Sequence, residues 1–348
     1  MRIGFIVNDI DTEQTVFTTT WLAMKLHNQG HKTCYAGVGD LGYYPDGYMG
    51  ARFRRAPEKT FKSTKTYLNA IQGEDAIVEK IMAPEIDVLL LRNDPAGEPE
   101  GRGWAKNAPL IFGQLAIKHG VIVLNDPNTL SEAVNKMYFQ HFPEEVRPRT
   151  LISRDGEEIR TFMNDLDGDM IVKPLQGSGG KGVFLVKKED ATNLNQMVEA
   201  ISRDGYIVAQ EYLPEARNGD VRLIVINGEA LKYKGKYAAL RRINKQGDVR
   251  SNMSAGGTAE RAEVDDGMLE LVELVRPKLI RDGMFMVGLD IVGDKLMEIN
   301  VFSPAGIYDA GKMEKVDFSI PFIEAIERKV HHKRTYGNQI DNKTIAMI

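Results

Sequence analysis

A single cysteine in 348 residues excludes an internal disulfide, and a reducing cytoplasm is the expected compartment. Cys34 falls inside the strand-like HKTCYAGV with no base beside it and reads as a small buried apolar residue rather than a nucleophile. The six histidines are scattered, and no HExxH or CxxC spacing supports a zinc site or a histidine-based triad. Long apolar runs are also missing, which excludes a membrane-spanning helix. There is no long Lys/Arg run, and the net charge is -4, so nothing electrostatic favours a nucleic acid or a membrane surface as partner. No GxGxxG follows the first strand, so a dinucleotide site is not supported. The start, Met1-Arg2 followed by IGFIV, is too short and too soon broken by Asn8-Asp9 to read as a signal peptide.

What is present is an ordinary globular composition, 43% hydrophobic and 27% charged, in a chain long enough for two or three substructures. Strand and helix patterns alternate from 1 to 125: RIGFIVND, TVFTTTWLAMKLHNQG, HKTCYAGV, IDVLLLRND, PLIFGQLAIKHG and VIVLND. That alternation argues an α/β fold with a parallel sheet, whose ligands gather at the carboxyl ends of strands, where Asn8-Asp9 and Arg92-Asn93-Asp94 fall. Residues 38–65 read as an irregular connection before a helix at about 65–82. A second unit, 126–205, is expected to hold a helix SEAVNKMYFQHF, strands DMIVKPL and KGVFLVKK joined by QGSGG, and a helix at about 191–203. A third, 206–330, holds strands YIVAQEYL, DVRLIVI and EALKYKGKY, a polar loop at 241–257, a helix at 265–282, a hairpin and a last helix at about 317–330. Residues 331–348 read as a polar tail that frays or makes crystal or subunit contacts, with His331 and His332 as solvated tail residues in preference to a metal-binding pair.

The chemistry concentrates in GLDIVGDKLMEINVFSP at 288–304, which places Asp290, Glu298 and Asn300 on a β-hairpin with oxygen donors suited to Mg²⁺. Glu298 and Asn300 share a strand face, and Asp290 joins them only if paired positions sum to 588. A two-residue Gly293-Asp294 turn alone would throw Asp290 to the other side, so the spacing predicts a three- or five-residue loop or a bulge. An edge hairpin with polar residues in water is the plain alternative. Lys173 sits in an apolar strand directly before Pro174, where an unpaired ammonium is costly to bury, so an anionic partner is the economical reading. The loop after it, Gly177, Ser178, Gly179, Gly180 and Gly182, can close backbone N–H groups on phosphate oxygens or can be only a mobile hairpin. It is not a Walker A loop, since no GK[ST] ending or helix start follows. Lys136 lies on the expected helix and alone would be a solvated charge. Glu211, Tyr212 and Leu213 end a strand as a hinge able to read an adenine edge, with the Asp220 carboxylate for ribose hydroxyls, although a crossover loop fits equally. Arg222 and Arg250 are candidate clamps on a transferring phosphoryl group. Arg241-Arg242 reads as a solvated basic pair, and SNMSAGGT at 251–258 as a turn.

In this order, Lys136, Lys173 with GSGGKG, QEYL, Asp220-Val221-Arg222, Arg250-x-Asn252, Asp290, Glu298 and Asn300 resemble the ATP-grasp superfamily, most closely the bacterial glutathione synthetases. The likeness runs from the first strand through LRNDP, LNDPNTL and NK to EINVFSP and is most specific over 171–304. It implies a Rossmann-like N-terminal pre-ATP-grasp domain at 1–125, a central α+β lid domain at 126–205 and a C-terminal domain at 206–330, with ATP between the last two. It also implies Lys136 and Lys173 on ATP phosphates, Gly177 to Gly182 as lid, Glu211 to Leu213 at adenine and Asp220 near ribose. Asp290, Glu298 and Asn300 would hold two Mg²⁺ ions, with Mn²⁺ as the alternative metal. Arg222, Arg250 and Asn252 match positions that meet the reacting phosphate or acid substrate. Two segments depart from those enzymes: Ala305-Gly306-Ile307-Tyr308-Asp309 replaces a Thr-Cys-Ile-Arg-Glu-like run, and AGEPEGRGWAKN after Pro95 lacks an acidic-aromatic run.

The resemblance thus implies a cytoplasmic, homo-oligomeric ADP-forming carboxylate–amine ligase acting on small-molecule acid and amine substrates through an acylphosphate. γ-Glutamylcysteine and glycine are the first expectation and another amino acid or small peptide the second. A non-catalytic ATP-binding regulatory module is the rival from a different class, against which the phosphoryl-transfer arginines and the metal set argue.

Overall fold

The fold is taken from a computed structural model that describes residues 1–177, 180, 182–189, 194–203, 205–244 and 257–348. The alternating first third builds a seven-stranded sheet. Its centre, Arg2–Val7, pairs parallel with Lys32–Gly37 and Val88–Leu91, and Ile122–Leu124 extends it in parallel. These strands read as continuous apolar runs because both faces are covered. Beyond Lys32–Gly37 the sheet turns antiparallel through Met49–Arg55, which pairs with Leu41–Tyr43 and Ile77–Met82. The stretch 38–65 is therefore not irregular, and the helix expected over 65–82 stops at Gln72. Ser63 caps its start by accepting from the Thr66 N–H, Gly73 ends it, and the β-branched Ile77-Val78 resumes as strand. Cys34 is buried, and burial pushes its thiol pKa up, as suits an inert core residue.

The central unit is a four-stranded antiparallel sheet in the order Phe184–Val186, Met170–Pro174, Ile207–Glu211, Thr150–Ser153, with helices Gly156–Asp165 and Leu194–Ser202 against it. The helix expected over SEAVNKMYFQHF is instead two 3₁₀ turns, Ser131–Ala133 and Lys136–His141, that follow the short helix Pro127–Leu130. Asn135 causes the break: its backbone is extended, and its side chain accepts from the Met137 N–H at 2.9 Å, restarting the chain as a capped turn.

The C-terminal sheet runs Thr258–Arg261, Ala239–Ile243, Asp220–Ile226, Met286–Val292, Lys295–Asn300, all antiparallel, backed by helix Asp266–Asp282. EALKYKGKY is not one strand. Lys234 and Gly235 both adopt positive φ, which turns the chain back and pairs Lys232–Tyr233 with Lys236–Tyr237. Nor does the tail fray. Helix Ser319–Tyr336 continues through the histidine pair, and helix Asn342–Met347 docks with Ile345 and Ala346 buried. Asn342 accepts from the Val123 N–H and donates to the Val123 carbonyl, both at 2.9 Å, and donates to Asp126 at 2.8 Å. It thereby satisfies the open edge of strand Ile122–Leu124.

Apolar packing is continuous between the first and third units, where Ile6 and Leu89 share a core with Leu223 and Leu289, and Phe5 shares one with Phe285 and Phe322. The central unit has its own core of Ile159, Met163, Val172, Leu194 and Ile207. No described helix is long and apolar enough to cross a membrane.

Candidate active site

The hairpin resolves its register conflict with a two-residue turn and a bulge together. Val292 pairs with Lys295 and Ile291 with Leu296 around Gly293-Asp294, with Gly293 at φ 57°, the positive φ that a primed turn requires. A shift between Asp290 and Ile291 then leaves Met297 unopposed, so Asp290 pairs with Glu298 and Gly288 with Asn300. The bulge brings Asp290, Glu298 and Asn300 to one face, and the Asn300 amide donates to Asp290 Oδ2 at 3.2 Å.

The three differ in what their oxygens already do. Asp290 is 1% exposed, takes a forked pair of hydrogen bonds from Arg222, and accepts from Arg242 Nη2 at 2.7 Å. Burial pushes its carboxyl pKa up, but the two guanidinium groups outweigh that and hold it at about 2. Arg242 in turn clasps Asp220 at 2.7 and 2.6 Å, so Arg222, Asp290, Arg242 and Asp220 alternate in a buried chain of charge. Arg242 is thus buried, not half of a solvated pair, and its pKa is raised, with Asp290 and Asp220 outweighing burial. Asp220, expected at a ribose, spends its carboxylate on Arg242 instead. Arg222 likewise gives its fork to Asp290.

Glu298 is different. It lines a cavity of about 460 Å³ with Asn300 and Arg222, and its carboxylate makes no hydrogen bond or ion pair with any described side chain. Lys136, Lys173 and Gly177 line the same cavity. Lys173 Nζ donates to Gln210 Oε1 at 3.0 Å; burial lowers its pKa to about 8, with Glu298 opposing and Lys136 assisting. Lys136, on the 3₁₀ turn, donates to the carbonyls of Pro174 at 3.1 Å and Gly177 at 2.7 Å, which holds it against the root of the glycine loop. Its pKa is also lowered by burial, against Glu298. Gly177, Gly180 and Gly182 stand at φ 119°, 76° and 69°, backbone that a side chain would strain.

Ser178, Gly179, Arg250 and Asn252 lie outside the described residues. The hinge residues do not line the cavity; Val208 and Gln210 of the same strand do. Glu211 Oε2 accepts from the Arg149 N–H at 3.1 Å, Tyr212 is buried with its N–H given to the Asp169 carbonyl, and Leu213 leads into the turn Pro214–Asn218. Among the described residues no three His, Cys, Asp or Glu side chains are placed to hold a metal. The donor set that fits Mg²⁺ is Glu298 and Asn300, with Asp290 a third ligand only if an arginine releases it.

The opposite wall comes from the carboxyl ends of the first sheet's strands and the segment after the first. Asn8, Glu13, Arg92 and Asp94 line it. Asn8 accepts from the Asp94 N–H at 2.7 Å and donates to Glu98 and to the Asp94 carbonyl. Arg92 is buried and donates to Thr19 Oγ1 at 3.1 Å and the Pro304 carbonyl at 3.0 Å; burial lowers its pKa to about 10, opposed by Glu13. Burial raises Glu13 to about 7, opposed by Arg92 and a 3.4 Å hydrogen bond from Thr20. Asn8, Arg92 and Asp94 are signalled by the strand-end rule; Glu13 is missed, and Gln210 is named only as the start of the QEYL hinge, without a role. Gln210 carried a signal, since strand alternation sets it two residues from cavity-lining Val208.

The N-terminal domain profile of prokaryotic glutathione synthetases matches residues 1–131, and their ATP-grasp domain profile matches 135–315. The glutathione synthetase of Shewanella oneidensis is 32% identical over 333 residues, 95% of this chain and 99% of that protein. That of Yersinia pestis is 31% identical over 342 residues, 96% of this chain and 99% of the relative. Among solved structures, ATP-grasp ligase PsnB, complexed with minimal precursor, Mg and ADP, has a TM-score of 0.58 at 18% identity, covering 94% of this chain and 98% of that one. D-cycloserine synthetase DcsG has a TM-score of 0.61 at 13% identity, covering 93% and 99%. These two speak to the fold alone. From profiles that together span most of its length, and from relatives matched nearly end to end, the chain belongs to the prokaryotic glutathione synthetase family and has the ATP-grasp fold.

Proposed function

We propose that the cavity seats ATP with its phosphates toward Lys136, Lys173 and the glycine loop, and that the chain joins a carboxylate to an amine, releasing ADP and phosphate. The observation that carries this is the convergence of two half-buried lysines, Gly177, Glu298 and Asn300 on one cavity. Glu298 and Asn300 would hold Mg²⁺, or Mn²⁺ in its place, with Asp290 behind them. When bound, the metal neutralises phosphate charge. Lys173 and Lys136 do the same from the opposite side, fixed by Gln210 and by the loop carbonyls rather than free to swing. The substrate carboxylate takes the terminal phosphoryl group, and the amine, once its ammonium proton has passed to solvent, attacks the resulting acylphosphate and expels phosphate; the chain supplies alignment and charge, not a nucleophile. The glycine loop and the central unit that bears it would exclude water as the lid. Glu211, Tyr212 and Leu213, which do not line the cavity, would flank adenine where it extends beyond Gln210, and Arg250 and Asn252 would meet the phosphoryl group.

Glutathione formation from γ-glutamylcysteine and glycine in the cytoplasm is the first assignment, since the relatives carry that name over their whole length. A different amino acid or small peptide is the second. It is favoured by Pro304 and Ala305 at the cavity wall, where Ala305-Gly306 opens the segment that replaces the Thr-Cys-Ile-Arg-Glu-like run. ADP release measured against a panel of acids and amines tests both. Release that requires γ-glutamylcysteine and glycine supports the first, release with another pair supports the second, and silence with every pair supports the non-catalytic ATP-binding module.

A further inference from the structure

The two walls of the cavity carry opposite charge. Lys136, Lys173 and Arg222 face it from the central and C-terminal units, with Glu298 the only carboxylate on that side among the described lining residues. Glu13 and Asp94 face it from the N-terminal unit, with Arg92 the only cation on that side among the described lining residues. Arg92 does not neutralise Glu13 by contact: its guanidinium donates to Thr19 Oγ1, the Pro304 carbonyl and Met286 Sδ, and no ion pair joins it to Glu13. Glu13 is partly buried, and among the described residues its carboxylate accepts one side-chain hydrogen bond, from Thr20 Oγ1 at 3.4 Å. Arg92 offsets part of the burial cost through space without touching the carboxylate, and the buried Tyr35, whose hydroxyl donates to the Thr19 carbonyl, offers Glu13 no charge. A carboxylate taken from water with one long hydrogen bond is costly, and a cation entering the cavity would relieve the cost. The amine substrate is such a cation, because an amino acid arrives as its ammonium form at neutral pH, and the lysine wall repels it.

We propose, resting on the ligase reading above, that Glu13 receives the ammonium group of the amine substrate, making it a specificity residue contributed by the N-terminal unit. Substrates at this subsite are then primary amines that are protonated in solution, and a neutral nucleophile has no need of Glu13.

The test is steady-state ADP release by wild type, Glu13→Gln and Glu13→Asp, with glycine and with hydroxylamine as alternative nucleophiles. Hydroxylamine is mostly uncharged at neutral pH and traps the same acylphosphate. For Glu13→Gln the expected result is a KM for glycine raised about tenfold or more. Its KM for ATP and its hydroxylamine-driven turnover should stay within about twofold to threefold of wild type. Glu13→Asp should fall between the two, which a merely structural role would not produce. An unchanged glycine KM in Glu13→Gln, or equal proportional losses with glycine and hydroxylamine, would overturn the proposal. If wild type releases ADP with another amine but not with glycine, that amine takes glycine's place in the same comparison. Wild type silent with every acid and amine would overturn the ligase reading itself, and this proposal with it.

Discussion

The lysine wall and the carboxylate wall of the cavity are built by different physics. The lysine wall is local in sequence: a hairpin with a bulge, a strand ending at Lys173-Pro174 and a capped turn at Lys136 each make their contribution within a few residues. It answers to a triphosphate, whose charge and metal preference leave few chemical solutions. The carboxylate wall is assembled from the ends of separate strands and from Glu13, and faces the cavity only because the first and third units share a core. It answers to substrates, and the two departures from the family pattern, at 96–107 and 305–309, both adjoin residues on the cavity's rim, Ala96 and Ala305.

The largest expected effect lies beneath the lysine wall. Arg242→Leu strips Asp220 and Asp290 of their shared partner, and removing the central cation of a buried charge chain should cost about 3–5 kcal/mol of stability in urea unfolding. A loss under 1 kcal/mol would mean that the charge chain does not support the hairpin. Glu298→Gln comes next, with unfolding unchanged and kcat reduced on the order of 10²- to 10³-fold. Full turnover in that variant would remove Glu298 from the metal site.

The walls should also separate by pH. Lys173 loses its proton as pH climbs through about 8, so the KM for ATP rises above that point. Glu13 becomes ionised as pH climbs through about 7, so the KM for the amine falls above that point, and Glu13→Gln abolishes this limb while keeping the ATP limb. Both limbs moving together in Glu13→Gln would mean one shared group rather than two walls. Asn342→Ala gives the smallest effect. It touches neither wall, so it should cost about 1–2 kcal/mol of stability from lost hydrogen bonds to Val123 and Asp126 while leaving kcat intact.

What was legible in the sequence follows the same division. Glu298 and Asn300 share a face by period two, and the need for a bulge to bring in Asp290 could be argued from two positions summing to 588. Arg242 was misread as solvated although strand alternation holds part of the answer: of two adjacent residues on an inner strand, one must face inward, and Arg241 is the exposed one. The break at Asn135 was hidden because an apolar period can run on through a side-chain cap. The docking of Ile345 was hidden by the polar residues before it and becomes intelligible only beside the open edge at Val123. Glu13 gave no signal of its role, since its environment is burial by the folded chain and the charge of Arg92, 79 residues away, with Thr20 the one local partner.

The most direct measurement is calorimetric binding of Mg²⁺·ATP to wild type and to Lys173→Met. Wild type should bind one nucleotide per chain, and the variant should bind at least about tenfold more weakly, the loss of one charge-assisted contact. Equal affinity in the two proteins, or no binding by wild type, would contradict a triphosphate seated at the lysine wall.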